Sequence, residues 1–290
     1  MKQPLAWIIF IFLALTWGSS FILIKKGLVA FDPVQVGALR VLIAALVLQP
    51  FLWGKAKQVP RKKWWPIIIV GIIGNGIPAY LFPAAQAHIN SATAGVLNSL
   101  SPLFVLLFGL LFFGMSISNR QIIGVILGFI GALLLTLAKG GEIDPFDNLM
   151  YSGLIVLATI CYGIAPNVMK RYLTDMNSVL ATGFALTFAA IPYTLYLLTI
   201  SGIPEVMQTH PQAWSSLGFL VILGAIGTAL AVVLFYRLIQ LTDAVMAASV
   251  TYLIPLVALG WGLIDGESFS LPQLAGIFVI LVGVYLVNKK

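Results

Sequence analysis

Ten apolar stretches, each long enough to cross a bilayer and joined by short polar loops, leave this chain almost no alternative to an all-α, membrane-embedded fold. They run 5–25, 34–53, 66–87, 92–113, 120–138, 149–169, 178–200, 214–236, 243–264 and 272–288. A helix of about 20 apolar residues matches the hydrocarbon thickness of a bilayer. The longest connections are 54–65, 139–148 and 201–213, so no soluble domain is expected. Composition agrees: 60% of the 290 residues are hydrophobic and 9% are charged, with a mean hydropathy of +1.05. A soluble domain carries about a quarter charged residues. Met1 and Lys2 ahead of an apolar run also fit a signal peptide. That run is too long, however, and Trp17 and Lys25 stand where small cleavage-site residues belong, so it reads as the first span.

The net charge of +7 is not a nucleic-acid signal, because the basic residues fall between the apolar stretches instead of forming one stripe. Placing the N-terminus in the cytoplasm puts Lys2, Lys55, Lys57, Arg61, Lys62, Lys63, Arg120, Lys170, Arg171, Arg237, Lys289 and Lys290 inside. Lys25, Lys26 and Lys139 are left outside. The bias predicts an inner (plasma) membrane protein with both termini cytoplasmic. A single cysteine, Cys161, excludes an intramolecular disulfide or a multi-cysteine metal site.

The chain repeats itself. A shift of 145 residues places Trp17 on Tyr162, Gly18 on Gly163, Lys25 on Lys170 and Lys26 on Arg171. A shift of 153 superposes Gly71 on Gly224, Gly74 on Gly227, Asn75 on Thr228, Phe82 on Phe235 and Pro102 on Pro255. A shift of 152 carries Gln121, Gly124 and Gly131 onto Gln273, Gly276 and Gly283. Two five-helix repeats are expected, 1–138 and 149–290. Because five crossings are an odd number, the second must be inverted. Inverted repeats are a recurrent plan of secondary transporters, which rock two similar halves about a central site.

These residues resemble the ten-helix, EamA-type branch of the drug/metabolite transporter superfamily. The resemblance spans the chain and rests on Trp17-Gly18-Ser19 with Lys25, on Arg40, and on Pro255, Gly266-Glu267, Gln273, Gly276 and Gly283-Val284. The first half answers with Pro102, Gly114, Gln121, Gly124 and Gly131, although Gly114-Met115 departs from the family's Gly-Glu. The resemblance implies an exporter or facilitator of amino acids, other metabolites or drugs. It also implies that spans one to four and six to nine surround a cavity, with five and ten peripheral.

Candidate substrate contacts are Trp17, Ser20, Arg40, Asn75, Tyr80, Asn98, Tyr162, Thr228, Thr251 and Tyr252. A charge in the second span costs up to roughly 2.5–3.5 kcal/mol on insertion scales, so Arg40 needs compensation from snorkelling, neighbouring carbonyls or a substrate carboxylate. Ser91, Gly95, Asn98 and Ser101 share one face of the fourth span, and Ala244, Ala248 and Thr251 the equivalent face of the ninth. Such small polar stripes suit either a cavity wall or close helix packing. Asn75 and Thr228 require hydrogen-bond partners in mid-membrane. The aromatic residues fit a substrate cage or interface anchors. Pro102 and Pro255 remove backbone hydrogen bonds at matching depths and either kink their helices for gating or bend them around a core. All nine acids lie in loops or near helix ends, which favours a neutral, zwitterionic or anionic substrate over a permanent cation.

No metal ligand set or cofactor motif is present, and no HExxH, GxSxG or P-loop pattern suggests an enzyme or an ATP-driven pump. The expected partners are a small-molecule substrate and the lipid bilayer, not nucleic acid. A non-transporting receptor or structural membrane protein is the alternative reading. The sequence leaves the oligomeric state open, a monomer being compatible.

Overall fold

The computed structural model describes residues 4–89, 91–137, 149–257 and 271–288, and every regular element among them is helical. In chain order these are α1 (Pro4–Gly27), α2 (Pro33–Leu52), α3 (Arg61–Gln86), α4 (Ser91–Asn98), α5 (Ser101–Phe112) and α6 (Asn119–Leu137). There follow α7 (Met150–Leu173), α8 (Ser178–Thr199), α9 (Ile203–Thr209), α10 (Ala213–Leu241), α11 (Ala244–Val257) and α12 (Leu271–Asn288). Six of them, α1, α2, α3, α7, α8 and α10, are long and apolar enough to cross a membrane. Ile8, Leu15, Leu111, Phe112, Leu195 and Leu198 point large apolar side chains outward. Water would not tolerate such a surface and a bilayer does. The Gly266-Glu267 pair, the 139–148 loop with its acids, and the residues flanking both termini lie outside the described residues.

Helix starts are set locally. Asp32 caps α2, accepting from the amides of Val34 and Gln35 while the Gln35 side chain accepts from the Asp32 amide, with Pro33 preset for the first turn. Asn177 caps α8 in the same way through Val179 and Leu180. The 145-residue shift relates Asp32 to Asn177, so it holds for the second helix of each half as well as the first.

Two departures from regular α-helix also recur. The turns Ile72–Gly76 of α3 and Ala225–Leu230 of α10 are π-helical and coincide under the 153-residue shift. In the first, Asn75 Nδ2 donates to the Val70 carbonyl at 2.9 Å; in the second, the Thr228 hydroxyl donates to the Leu223 carbonyl at 3.0 Å. Both bonds reach back five residues, onto carbonyls that the widened turn frees. The other departure sits before the prolines. The fourth apolar stretch is not one helix, since α4 and α5 are separated by a turn at Ser99 and Leu100, and α11 becomes 3₁₀ over Ser249–Leu253. Pro102 has no N–H for the Asn98 carbonyl, which instead accepts from the Ser101 hydroxyl at 2.7 Å.

Two pairs of helices related by the repeat shifts, α6 with α12 and α2 with α8, pack against one another and run antiparallel. At the α6–α12 contact, a Cβ built on Gly124 would lie 2.7 Å from the Gly283 carbonyl oxygen, and one on Gly131 would lie 3.0 Å from that of Gly276. Gly124 and Gly131 are themselves the repeat equivalents of Gly276 and Gly283, so the contact exchanges its members as a two-fold axis would. In α2 and α8 the antiparallel run is fixed by Gln35, bonded to the Ser201 carbonyl at one end, and by Gln49, bonded to the Thr187 hydroxyl toward the other. The third helices close on the second ones symmetrically. Gly71 abuts the carbonyl of Ala185, Gly224 that of Arg40, and Ala185 is Arg40 shifted by 145.

Candidate functional site

A cavity of about 120 Å³ lies where α1, α2, α3, the α4–α5 break, α7, α10 and α11 meet. On this measure about 10–15 Å³ holds one water, so a small organic molecule fits. α6 and α12 pair with each other, and none of the described residues of α6, α8 or α12 lines the cavity.

The first helix of each half contributes an aromatic residue, and each meets a phenylalanine of the opposite half. Trp17 stands edge-on to Phe235 with centroids 5.1 Å apart, and Tyr162 stacks on Phe82 at 5.9 Å and 26°. The shifts that relate Trp17 to Tyr162 also relate Phe82 to Phe235, so these are two copies of one contact. The Trp17 indole donates to the Gly227 carbonyl at 3.1 Å, inside the π turn of α10. Tyr193 of α8 donates to the carbonyl of Gly76, inside the π turn of α3, at 2.7 Å. In each case a donor from one half satisfies a π-turn carbonyl of the other.

Arg40 is the single ionic side chain among the described wall residues. Its Nε donates to the Thr228 hydroxyl at 2.8 Å, and that hydroxyl passes its own proton to Leu223. Asn75, the counterpart of Thr228, also lines the cavity and donates to the Val70 carbonyl. The polar wall is completed by Ser20, Asn98, Ser101 and Thr251, of which Asn98 and Thr251 are equivalent across the repeat.

Eight of the ten sequence candidates therefore converge: Trp17, Ser20, Arg40, Asn75, Asn98, Tyr162, Thr228 and Thr251. Tyr80 and Tyr252 do not. Tyr80 is 40% exposed on the outer face of α3, between cavity-lining Ala79 and Phe82. Tyr252 is fully buried on the opposite side of its 3₁₀ turn from the cavity, against Gly128 of α6, and donates to the Val125 carbonyl at 2.8 Å. At these two positions the helix rotation turns the tyrosines out of the wall that Ala79, Phe82 and Thr251 line. Pro102 and Pro255 flank the cavity but do not line it. Phe82 and Phe235 do, and were missed as contacts. They sit seven residues after Asn75 and Thr228, two helical turns on along the same face, and that spacing is the signal that marks them.

The helix ends around Lys170 are tied together by several side-chain bonds. Lys170 of α7 donates to the carbonyls of Ile239 and Thr242 at the end of α10, at 3.1 and 2.6 Å. The Tyr236 hydroxyl donates to the Leu173 carbonyl, and Gln240 to those of Thr174 and Met176. Lys63 bridges to the Tyr172 carbonyl and to Asp175. Lys25, the repeat equivalent of Lys170, is exposed, and its ammonium makes no hydrogen bond to a described residue.

A chain whose described residues fold into helices, six of them long and apolar enough to cross a membrane, around a small cavity is a multi-pass membrane protein of the transporter class. More specifically, it belongs to the EamA-like transporter family, whose model matches residues 5–137 and again 149–289. An uncharacterized transporter of Archaeoglobus fulgidus is 24% identical over 98% of this chain and 99% of its own length. The uncharacterized inner membrane transporter YedA of Escherichia coli K12 is 26% identical over 95% of this chain and 88% of its own. A WAT1-related chloroplastic protein of Arabidopsis thaliana is 24% identical over 98% of this chain and 69% of its own. A crystal structure 18% identical in sequence shares the fold, with a TM-score of 0.73 over 98% of this chain and 96% of the other.

Proposed function

We propose that the chain crosses an inner membrane ten times as two inverted five-helix repeats, 1–138 and 149–290, and carries a small organic metabolite by alternating access through the central cavity. The observation that carries this reading is that the cavity is built twice over from equivalent residues: Trp17 with Phe235 and Tyr162 with Phe82. A site made of two matching halves can be exposed to either side by rocking one half against the other.

The unequal helix ends support the same reading. With both termini cytoplasmic, the Lys170 cluster lies on the inner side and shuts it. In the opposite state Lys25 takes the part of Lys170. It then caps the end of α3 at Gln86 and Ile89, the equivalents of Ile239 and Thr242. The breaks before Pro102 and Pro255 supply the flexible joints. The protein acts as an exporter or facilitator of that metabolite, without covalent chemistry. Purified protein reconstituted in liposomes and screened with labelled amino acids and other small metabolites tests the proposal. Flux of at least one compound above protein-free liposomes supports it; flux of none overturns it.

A further inference from the structure

We propose that the cavity selects an organic monocarboxylate with an uncharged, largely apolar body, its carboxylate seated on the free edge of the Arg40 guanidinium. This rests on the cavity being the substrate site and adds the charge of what enters it.

The guanidinium is half-used. Nε is committed to Thr228, whose hydroxyl proton is committed in turn to Leu223, so the pair has a fixed direction and adds no negative charge. The two terminal nitrogens bond to no described residue, and neither belongs to the buried unpartnered atoms, which are Gln86 Nε2, Asn167 Oδ1 and Thr182 Oγ1. They therefore open onto the cavity that Arg40 lines. The ionisable side chains beside Arg40 are the phenols of Tyr162 and Tyr193, neutral at ordinary pH, and no described carboxylate is among them. The one ion pair among the described residues, Lys63–Asp175, lies at the inner helix ends. A buried cation without a counter-ion is costly, and two parallel N–H groups match the two oxygens of a carboxylate.

The rest of the wall narrows the choice. One positive charge is balanced by one negative charge, so a phosphate dianion leaves a surplus. A zwitterion brings an ammonium beside Arg40 where no described wall residue is acidic, and a cation is simply repelled. Beyond the arginine the walls are Trp17, Phe82, Tyr162 and Phe235 with Ile24 and Ile254, a lining for an apolar or aromatic body. Asn75 and Asn98 offer neutral hydrogen bonds to a hydroxyl or carbonyl on that body.

The test is a binding series on one carbon skeleton: 3-phenylpropionate, 3-phenylpropanol, 3-phenylpropylamine and phenylalanine, read as thermal stabilisation of the detergent-purified full chain. The acid is expected to bind at least about tenfold more tightly than the alcohol, the size of one charge-assisted hydrogen bond, with the amine and the amino acid weaker than the acid. In Arg40→Gln the acid falls to the level of the alcohol. Arg40→Lys, which keeps the charge but loses the fork, retains part of the preference and serves if the glutamine variant does not fold. Equal or tighter binding of alcohol, amine or amino acid in the wild type overturns the inference. So does an acid preference undiminished in the variants, or no stabilisation by any of the four at millimolar concentration. A protein that moves some solute without acid preference loses this inference and keeps the carrier reading. Arg40-dependent acid binding without flux does the reverse.

Discussion

Arg40 of α2 and Thr228 of α10 are joined by a 2.8 Å hydrogen bond from Nε to the hydroxyl, although 188 residues separate them. The bond links the one charge among the described wall residues to the π turn that exposes the threonine, and it crosses from one half of the chain to the other. Its strength bears on both stability and substrate handling, because it holds the guanidinium plane in place for whatever approaches from the cavity.

Thr228→Val, which keeps the shape and removes the hydroxyl, leaves Nε without its acceptor and the Leu223 carbonyl without its donor. A buried donor left unmade costs about 1–3 kcal/mol, and unfolding of the purified protein in detergent should register a loss of that order. Thr228→Ser should recover most of it. A valine variant as stable as the wild type would show that the contact is incidental.

Asn98→Ala and Thr251→Ala test the paired polar wall. Each truncates a side chain that faces the cavity from a proline-broken helix, so transport should fall while membrane expression is preserved. Flux at the wild-type rate in both variants removes these two positions from the site.

The α6–α12 seam should respond the opposite way. A Cβ on Gly124 would lie 2.7 Å from the Gly283 carbonyl oxygen, and one on Gly283 only 2.5 Å from the Gly128 nitrogen. Backbone cannot give as a flexible side chain can, so Gly124→Ala and Gly283→Ala should each cost about 1–3 kcal/mol of stability by overpacking. The protein that does fold should transport normally, since neither helix lines the cavity. A stable but inactive alanine variant would place the seam in the transport cycle.

Much of this was legible beforehand. An all-helical membrane fold followed from apolar length, although the fourth stretch divides into α4 and α5, and the repeat shifts paired Trp17 with Tyr162 and Asn75 with Thr228. The π turns were not legible, because widening one turn of a helix leaves its hydropathy unchanged. Only the paired glycines Gly74 and Gly227 hinted at a special backbone there. Tyr252 was misplaced because sequence gives the proximity of a residue to Thr251 but not the rotation that separates them. The grip of Lys170 on α10 depends on which helix ends meet, and no local pattern encodes that.

Lys170→Ala should loosen the inner end. In a Cys161→Ser background carrying Ser101→Cys, the wall cysteine should react faster with a thiol reagent applied from the inner side once Lys170 is removed. Lys25→Ala should leave that rate unchanged or lower it. The nearby Asp175 carboxyl is held below the usual range by the hydrogen bond from Lys63, so its contribution is complete above the ordinary aspartate value near 4 and is lost only as pH falls through the lower folded-state value. Inner closure should therefore not vary between about pH 5 and 8 on account of this pair. Thiol reactivity across that range measures it, and a titration there assigns closure to other groups.

Counterflow in proteoliposomes tests the carrier account most directly. Vesicles preloaded with an excess of the unlabelled compound that passes the flux screen are diluted into a trace of the same compound carrying a label. A cavity that opens to each side in turn predicts a transient accumulation of label above equilibrium, abolished in Asn98→Ala. Label that merely equilibrates, at a rate indifferent to the internal load, would contradict alternating access through this cavity.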